Sequence, residues 1–125
     1  MITLKEFLVK YTAISEQFIN KYYRFYELCE KNKFGINAEL VAKYLGITNI
    51  TNFCERLREN YTLREDYIII KLKRKLEKNV KNTFYFLSFD GFEKVCMQSR
   101  TKKGTEFRNN IIKIKELFMK TKMII

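Results

Sequence analysis

The residues best equipped for chemistry in this chain are cations in a short run. Lys71, Lys73, Arg74, Lys75, Lys78 and Lys81 fall within twelve residues, opposed only by Glu77. Lys and Arg are rarely fully buried without partners, and like charges across a hairpin repel one another. Contact with phosphates would offset that repulsion, because each neutralised phosphate releases counterions. The plainer alternative is a solvated loop that discourages edge-to-edge strand pairing. A second basic group follows at Arg100, Lys102, Lys103 and Arg108. There Thr101–Lys102–Lys103–Gly104 reads as a basic turn whose amides could cradle a phosphate. Arg108 is left open between an acidic neighbour and a phosphate. A third group lies earlier, at Asn49, Thr51, Asn52, Arg56 and Arg58. Asn can pair with adenine, and Arg with guanine or phosphate. Glu55 and Glu59 share that segment and would repel phosphates unless turned away or paired, so an ordinary helical hairpin facing water stays open as well.

Residue types that are absent or scarce remove other chemistry. The 125 residues contain no His, which excludes a Ser–His–Asp triad and any His-containing zinc site. Three cysteines, Cys29, Cys54 and Cys96, are too few for a four-cysteine zinc site and fit no disulfide framework. Their apolar neighbours read as buried thiols in a reducing compartment. Only two Asp occur, Asp66 and Asp90, each placed as a cap or turn residue. No carboxylate cluster with the spacing of a Mg²⁺ nuclease is visible, and no Walker or dinucleotide fingerprint is present. The expectation is a protein that is not an enzyme and needs no metal or cofactor.

The charge is unevenly distributed. Residues 1–70 carry 10 basic and 9 acidic side chains, and residues 71–125 carry 15 and 5, so +10 of the net +11 lies in the second half. An asymmetry of that size concerns partners rather than fold. Lys, Asn, Ile, Phe and Tyr supply 61 of the 125 residues, so a Lys-rich composition is the competing account. Met1–Ile2–Thr3 runs into an amphipathic segment rather than a signal peptide, and no stretch approaches 18 apolar residues. An intracellular protein with no membrane partner is expected.

The elements that must position these groups follow from periodicity. The spacing predicts a helix over 3–11 capped by Thr3, then one from about Ser15 to Lys31 with Phe18, Ile19, Tyr22, Phe25, Tyr26 and Cys29 on its face. Two short helices over 36–60, turning at Gly46, make a helix-turn-helix candidate: Asn37 caps the first and the second restarts near Thr48 or Asn49. Ala42, Gly46 and Ile47 suit a compact motif, and the second helix's apolar residues fall about one place late, which an extra turn residue would repair. Strands at 67–75 and Thr83–Leu87 predict an antiparallel hairpin with a basic tip. A helix starting at Ser88 or Asp90, with Asp90 and Glu93 as a capping box, precedes a final helix from about Thr105 to Lys120 or beyond. Phe107, Ile111, Ile114 and Phe118 stripe that helix, which packs on the core and could meet a second subunit. The fold class expected is α+β: a mainly helical domain with a helix-turn-helix-like pair, one basic antiparallel β-hairpin and a long C-terminal helix.

Tyr85–Phe86–Leu87–Ser88–Phe89–Asp90–Gly91–Phe92–Glu93–Lys94–Val95–Cys96–Met97, followed by Ser99–Arg100–Thr101–Lys102–Lys103–Gly104 and Arg108, resembles the MSV199 domain of large DNA viruses. That domain is similar to BRO-N and KilA-N domains and to phage antirepressors. The resemblance begins at Asp66–Tyr67, is most specific over 83–108, and extends more weakly through 36–60 and the Phe7–Phe25 region. It implies one MSV199-like domain over 1–125, divided into helices over 1–31, the helix-turn-helix-like portion over 36–60, the hairpin over 67–87 and C-terminal helices over 88–122. It also implies a viral DNA-binding or regulatory module acting inside the infected host cell. Members often carry a second domain, which this chain is expected to lack along with any catalytic role of longer relatives. The family has no agreed catalytic residues, so none is carried over.

Together these readings give a non-enzymatic duplex-DNA-binding protein. It would contact phosphates through Lys71, Lys73, Arg74, Lys75, Lys78, Lys81, Arg100, Lys102, Lys103 and Arg108, with Asn49, Asn52 and Arg56 as further contacts. The alternative is a homo- or hetero-oligomeric interaction module using the C-terminal and aromatic helices, as a homodimer or with an acidic protein partner.

Overall fold

A computed structural model describes residues 3–72 and 83–124, with side chains described as far as Leu117. The described residues form helices α1 (Leu4–Tyr11), α2 (Glu16–Lys31), α3 (Ala38–Leu45), α4 (Ile50–Asn60), α5 (Phe89–Gln98) and α6 (Lys102–Ile124). Strands β1 (Ile36–Asn37), β2 (Tyr67–Lys71) and β3 (Thr83–Leu87) join them. The chain is thus a mainly helical domain with a small antiparallel hairpin and a C-terminal helix.

Side-chain caps set most helix starts. Thr3 accepts from the Glu6 amide, Ser15 from Phe18, Asn37 from Glu39 and Asn49 from Asn52, at 2.9–3.2 Å. Each satisfies an amide that the helix itself leaves unpaired. Gly46 ends α3 in the left-handed region at φ 78°, and Ile47 N donates to Ala42 O at 2.8 Å. That closure leaves residues 46–49 as the link to α4.

Three expectations are corrected. The sheet has three strands in the order β1-β3-β2, because Ile36 and Asn37 pair with Leu87 and Phe86 on the other edge of β3. A two-residue strand is too short to show a period of two. The cap of α5 is Ser88 rather than an Asp90–Glu93 box: its hydroxyl accepts from Gly91 N at 3.0 Å and donates to Glu65 O at 2.8 Å. Finally, α6 begins at Lys102, so the supposed basic turn is its first turn. The Thr101 hydroxyl accepts from Gly104 N at 3.1 Å.

The core joins both halves of the chain. Ile19, Ile36, Val41, Leu45, Leu57, Leu87, Phe92, Cys96 and Phe107 are fully buried. Phe92 stacks on Phe25 at 4.4 Å between centroids and meets Phe107 edge-on at 5.7 Å. The periodic stripes of α2, α5 and α6 therefore converge on one aromatic cluster. Full burial of one such ring contributes about 1.5–3 kcal/mol.

A buried junction fixes the hairpin to α5. Asp66 is 3% exposed. Its carboxylate accepts from Thr62 N at 3.0 Å and from Lys94 Nζ at 2.8 Å. Its backbone oxygen accepts from Ser88 N at 3.0 Å. A Cβ on Gly91 would lie 2.1 Å from that same oxygen, so only glycine allows α5 to sit this close.

Candidate nucleic-acid interface

Helix α4 owes its orientation to Phe53, Cys54 and Leu57, which enter the core. At helical spacing this turns Thr51, Asn52, Glu55, Arg56, Arg58 and Glu59 outward, and all six are exposed. Asn49 is exposed too, but its side-chain oxygen is committed to the Asn52 amide. Only its NH₂ remains for an external acceptor.

The two arginines of α4 lie on different flanks. The Arg58 guanidinium sits 5.8 Å from the Tyr85 ring centroid and donates to the Tyr85 hydroxyl, tying α4 to β3. Arg56 lines a cavity of about 170 Å³ with Tyr61, Val95, Gln98 and Ser99, on the side of the α5–α6 turn. The Tyr61 hydroxyl donates to Gln98 Oε1 at 2.6 Å, which fixes the end of α4 against the end of α5. Neither Glu55 nor Glu59 is ion-paired with an arginine of α4, so both acids stay on the outer face among the candidate contacts.

Arg100, Lys102 and Lys103 are exposed beyond Ser99. Lys103 pairs with Glu106 at 3.6 Å. Such an exposed pair contributes little and yields readily to another anion. A Cβ on Gly104 would meet Ser99 at 2.6 Å, so α6 starts pressed against the end of α5.

Arg108 has no acidic partner among the described residues, and part of its guanidinium is committed to the backbone. Its NH1 donates to the carbonyls of Met97 and Ser99, at 2.9 and 2.5 Å, and its NH2 to Thr105 Oγ1 at 3.0 Å. The guanidinium caps the C-terminal carbonyls of α5, where a cation also suits the helix dipole.

Lys71 is exposed at the end of β2, opposite Thr83. Lys73, Arg74, Lys75, Lys78 and Lys81 lie outside the described residues. The structure brings Arg56 to the flank from which the α5–α6 turn leads to Arg100, and Arg58 to the hairpin strand. Sequence reasoning missed Tyr85, Tyr61 and Gln98 as the residues that hold α4. Contacts across 27 and 37 residues leave no periodic signal.

Among the described residues no group of three or more Cys, Asp or Glu is placed to hold a metal ion. No described helix is long and apolar enough to cross a membrane. No family model matches the chain, and neither a curated protein nor a solved structure does so.

Proposed function

We propose that this is a non-enzymatic DNA-binding protein that engages duplex phosphates through its basic second half. The carrying observation is the charge asymmetry, +10 of +11 in residues 71–125. Binding of this kind is governed by counterion release and is strongly salt-dependent. The basic segment 71–82 supplies the main phosphate contacts, with Arg100, Lys102 and Lys103 as a second group. Arg56, Asn52 and the Asn49 amide are candidates for groove contacts. Arg108, already bonded to two carbonyls, drops to a supporting role in this reading.

The resemblance of residues 83–108 to the MSV199 domain supports the same reading and adds a viral regulatory or genome-handling role inside the host cell. The helices α3 and α4 would then be its helix-turn-helix-like portion. A protein-interaction module is the competing function. The large apolar surfaces of Ile112 on α6 and Tyr26 on α2, 49% and 44% exposed, favour it.

The experiment is a mobility-shift titration of duplex DNA at several salt concentrations, comparing the wild type with Lys73→Gln/Arg74→Gln/Lys75→Gln. Loss of three phosphate contacts should flatten the log–log salt slope by about 2.7 and weaken binding to every sequence tested. An unchanged slope and affinity would remove the basic segment from the interface. Absence of duplex binding at low salt, with dimers or larger species by light scattering, would favour the interaction module.

A further inference from the structure

On α2, Lys21, Arg24, Phe25 and Leu28 recur at i, i+3, i+4 and i+7, which places them on one face. On α3, Leu40, Lys43 and Tyr44 recur at i, i+3 and i+4. The two stripes together line a groove of about 440 Å³. Phe25 and Tyr44 meet in it with ring centroids 5.7 Å apart at 65°, and Phe25 is held in the core by its stack on Phe92. Leu28 is half-buried and Leu40 is 49% exposed, so apolar surface reaches solvent beside the rings.

The charged groups of this groove are all of one sign. Lys21, Arg24 and Lys43 line it, and no carboxylate does. All three are exposed, and among the described residues none of them is ion-paired. Glu27 and Glu39, the acids closest to them in sequence on the same helices, stand outside the lining. Residues 1–70 are close to neutral, with 10 basic and 9 acidic side chains. The local excess of cations therefore does not follow from the basic second half of the chain. Lys21 and Arg24 are one turn apart on α2, where like charges repel, and a bound anion offsets that repulsion.

We propose that the groove between α2 and α3 binds a small organic phosphate, a dianionic head carrying a compact apolar or aromatic body. The head would sit among Lys21, Arg24 and Lys43, where the guanidinium fork can take two oxygens and the ammonium groups add charge. The body would lie on Leu28, Leu40 and Tyr44. Lys21 to Leu28 spans about 10 Å along α2, room for a phosphate joined to a two-ring body, and a volume of this size suits a small molecule. Three cations with no acid favour a dianion over a single negative charge. The apolar part of the lining separates this ligand from a duplex backbone, which brings phosphates with no apolar body to bury. This inference is independent of the nucleic-acid reading.

The test is calorimetric titration with 2-naphthyl phosphate, 2-naphthol and inorganic phosphate in a phosphate-free buffer. 2-Naphthyl phosphate should saturate one site, and 2-naphthol and inorganic phosphate should each bind about tenfold more weakly or worse. Arg24→Gln/Lys43→Gln should weaken 2-naphthyl phosphate about tenfold, and Leu40→Ala about threefold. These three positions are exposed, so the substitutions disturb no buried packing. Lys73→Gln/Arg74→Gln/Lys75→Gln should leave the affinity unchanged. The proposal is overturned if either part of the ligand binds as tightly as the whole, if Arg24→Gln/Lys43→Gln binds undiminished, or if no saturable binding appears at millimolar concentration. Weakening by Lys73→Gln/Arg74→Gln/Lys75→Gln alone would overturn it by placing the anion on the basic segment. Loss of duplex DNA binding in Arg24→Gln/Lys43→Gln, with no naphthyl phosphate site in the wild type, would overturn it by assigning these cations to the nucleic-acid surface.

Discussion

Replacing Asp66 tests whether the junction between hairpin and α5 is held by a buried carboxylate. Asp66→Ala removes the acceptor of the Thr62 amide and the partner of Lys94. Leaving a buried amide unsatisfied costs about 1–3 kcal/mol. The Lys94 side chain is 53% exposed, so its ion pair is screened by solvent and adds about 0–1 kcal/mol. Asp66→Ala should therefore lose about 2–3 kcal/mol. Asp66→Asn keeps an acceptor for Thr62 and should lose about 1 kcal/mol, with Lys94→Ala at or below that. Acid adds an independent check. Burial tends to raise the Asp66 carboxyl, but the Lys94 hydrogen bond, the Thr62 amide and the Lys94 charge outweigh it and hold it below its ordinary 3.8. The unfolded chain then takes up the proton first. The stabilisation is complete well above pH 3.8 and fades as pH falls through that value toward the lower folded one. Urea unfolding followed by far-UV circular dichroism at pH 7 and pH 3 measures both effects, and the gap between wild type and Asp66→Asn should narrow at pH 3. The reasoning fails if Asp66→Ala unfolds within about 0.5 kcal/mol of wild type, or if Lys94→Ala costs as much as Asp66→Ala.

Glycine substitutions separate steric from conformational need. A methyl on Gly91 would lie 2.1 Å from the Asp66 oxygen, whereas one on Gly46 has nothing within 4 Å and only its φ of 78° against it. In thermal unfolding, Gly91→Ala should cost about 2–3 kcal/mol and Gly46→Ala about 1 kcal/mol; the reverse order would contradict the close packing of α5. Arg108→Ala should cost about 1–2 kcal/mol through the freed carbonyls of Met97 and Ser99. It should also leave the salt slope of DNA binding unchanged. A lowered slope in that variant would return Arg108 to the set of phosphate contacts.

Helix positions are readable in the sequence because each start carries its own cap and each face its own stripe. Thr3, Ser15, Asn37 and Asn49 are local signals, complete within three residues of the amides they bind. The start of α6 is hidden because Lys102 and Lys103 are poor first-turn residues by charge, and Thr101 and Gly104 look like a turn when the contact with Ser99 is unseen. Strand β1 is invisible for the same reason: Ile36 and Asn37 gain their pairing from Leu87 and Phe86, about 50 residues on. For the candidate interface, residue types are legible but commitments are not. Asn49, Arg58 and Arg108 read alike as exposed polar groups, yet each has given at least one hydrogen-bonding group to the fold.

Those commitments change how the candidate contacts should be ranked. An arginine free in water loses up to about 2 kcal/mol of rotamer freedom when a ligand fixes it. Arg58 has lost part of that freedom already, through its hydrogen bond to Tyr85 and its place over the ring. Only the remaining donors of its planar fork can face a phosphate, and in a preset direction. Among the described residues Arg56 has no comparable bond, so its donors are not committed there. The backbone under both is equally firm, since Phe53, Cys54 and Leu57 anchor the same helix in the core. Of the two, Arg58 holds α4 against the sheet, so under the proposed DNA-binding reading Arg56 is the better candidate for a ligand contact.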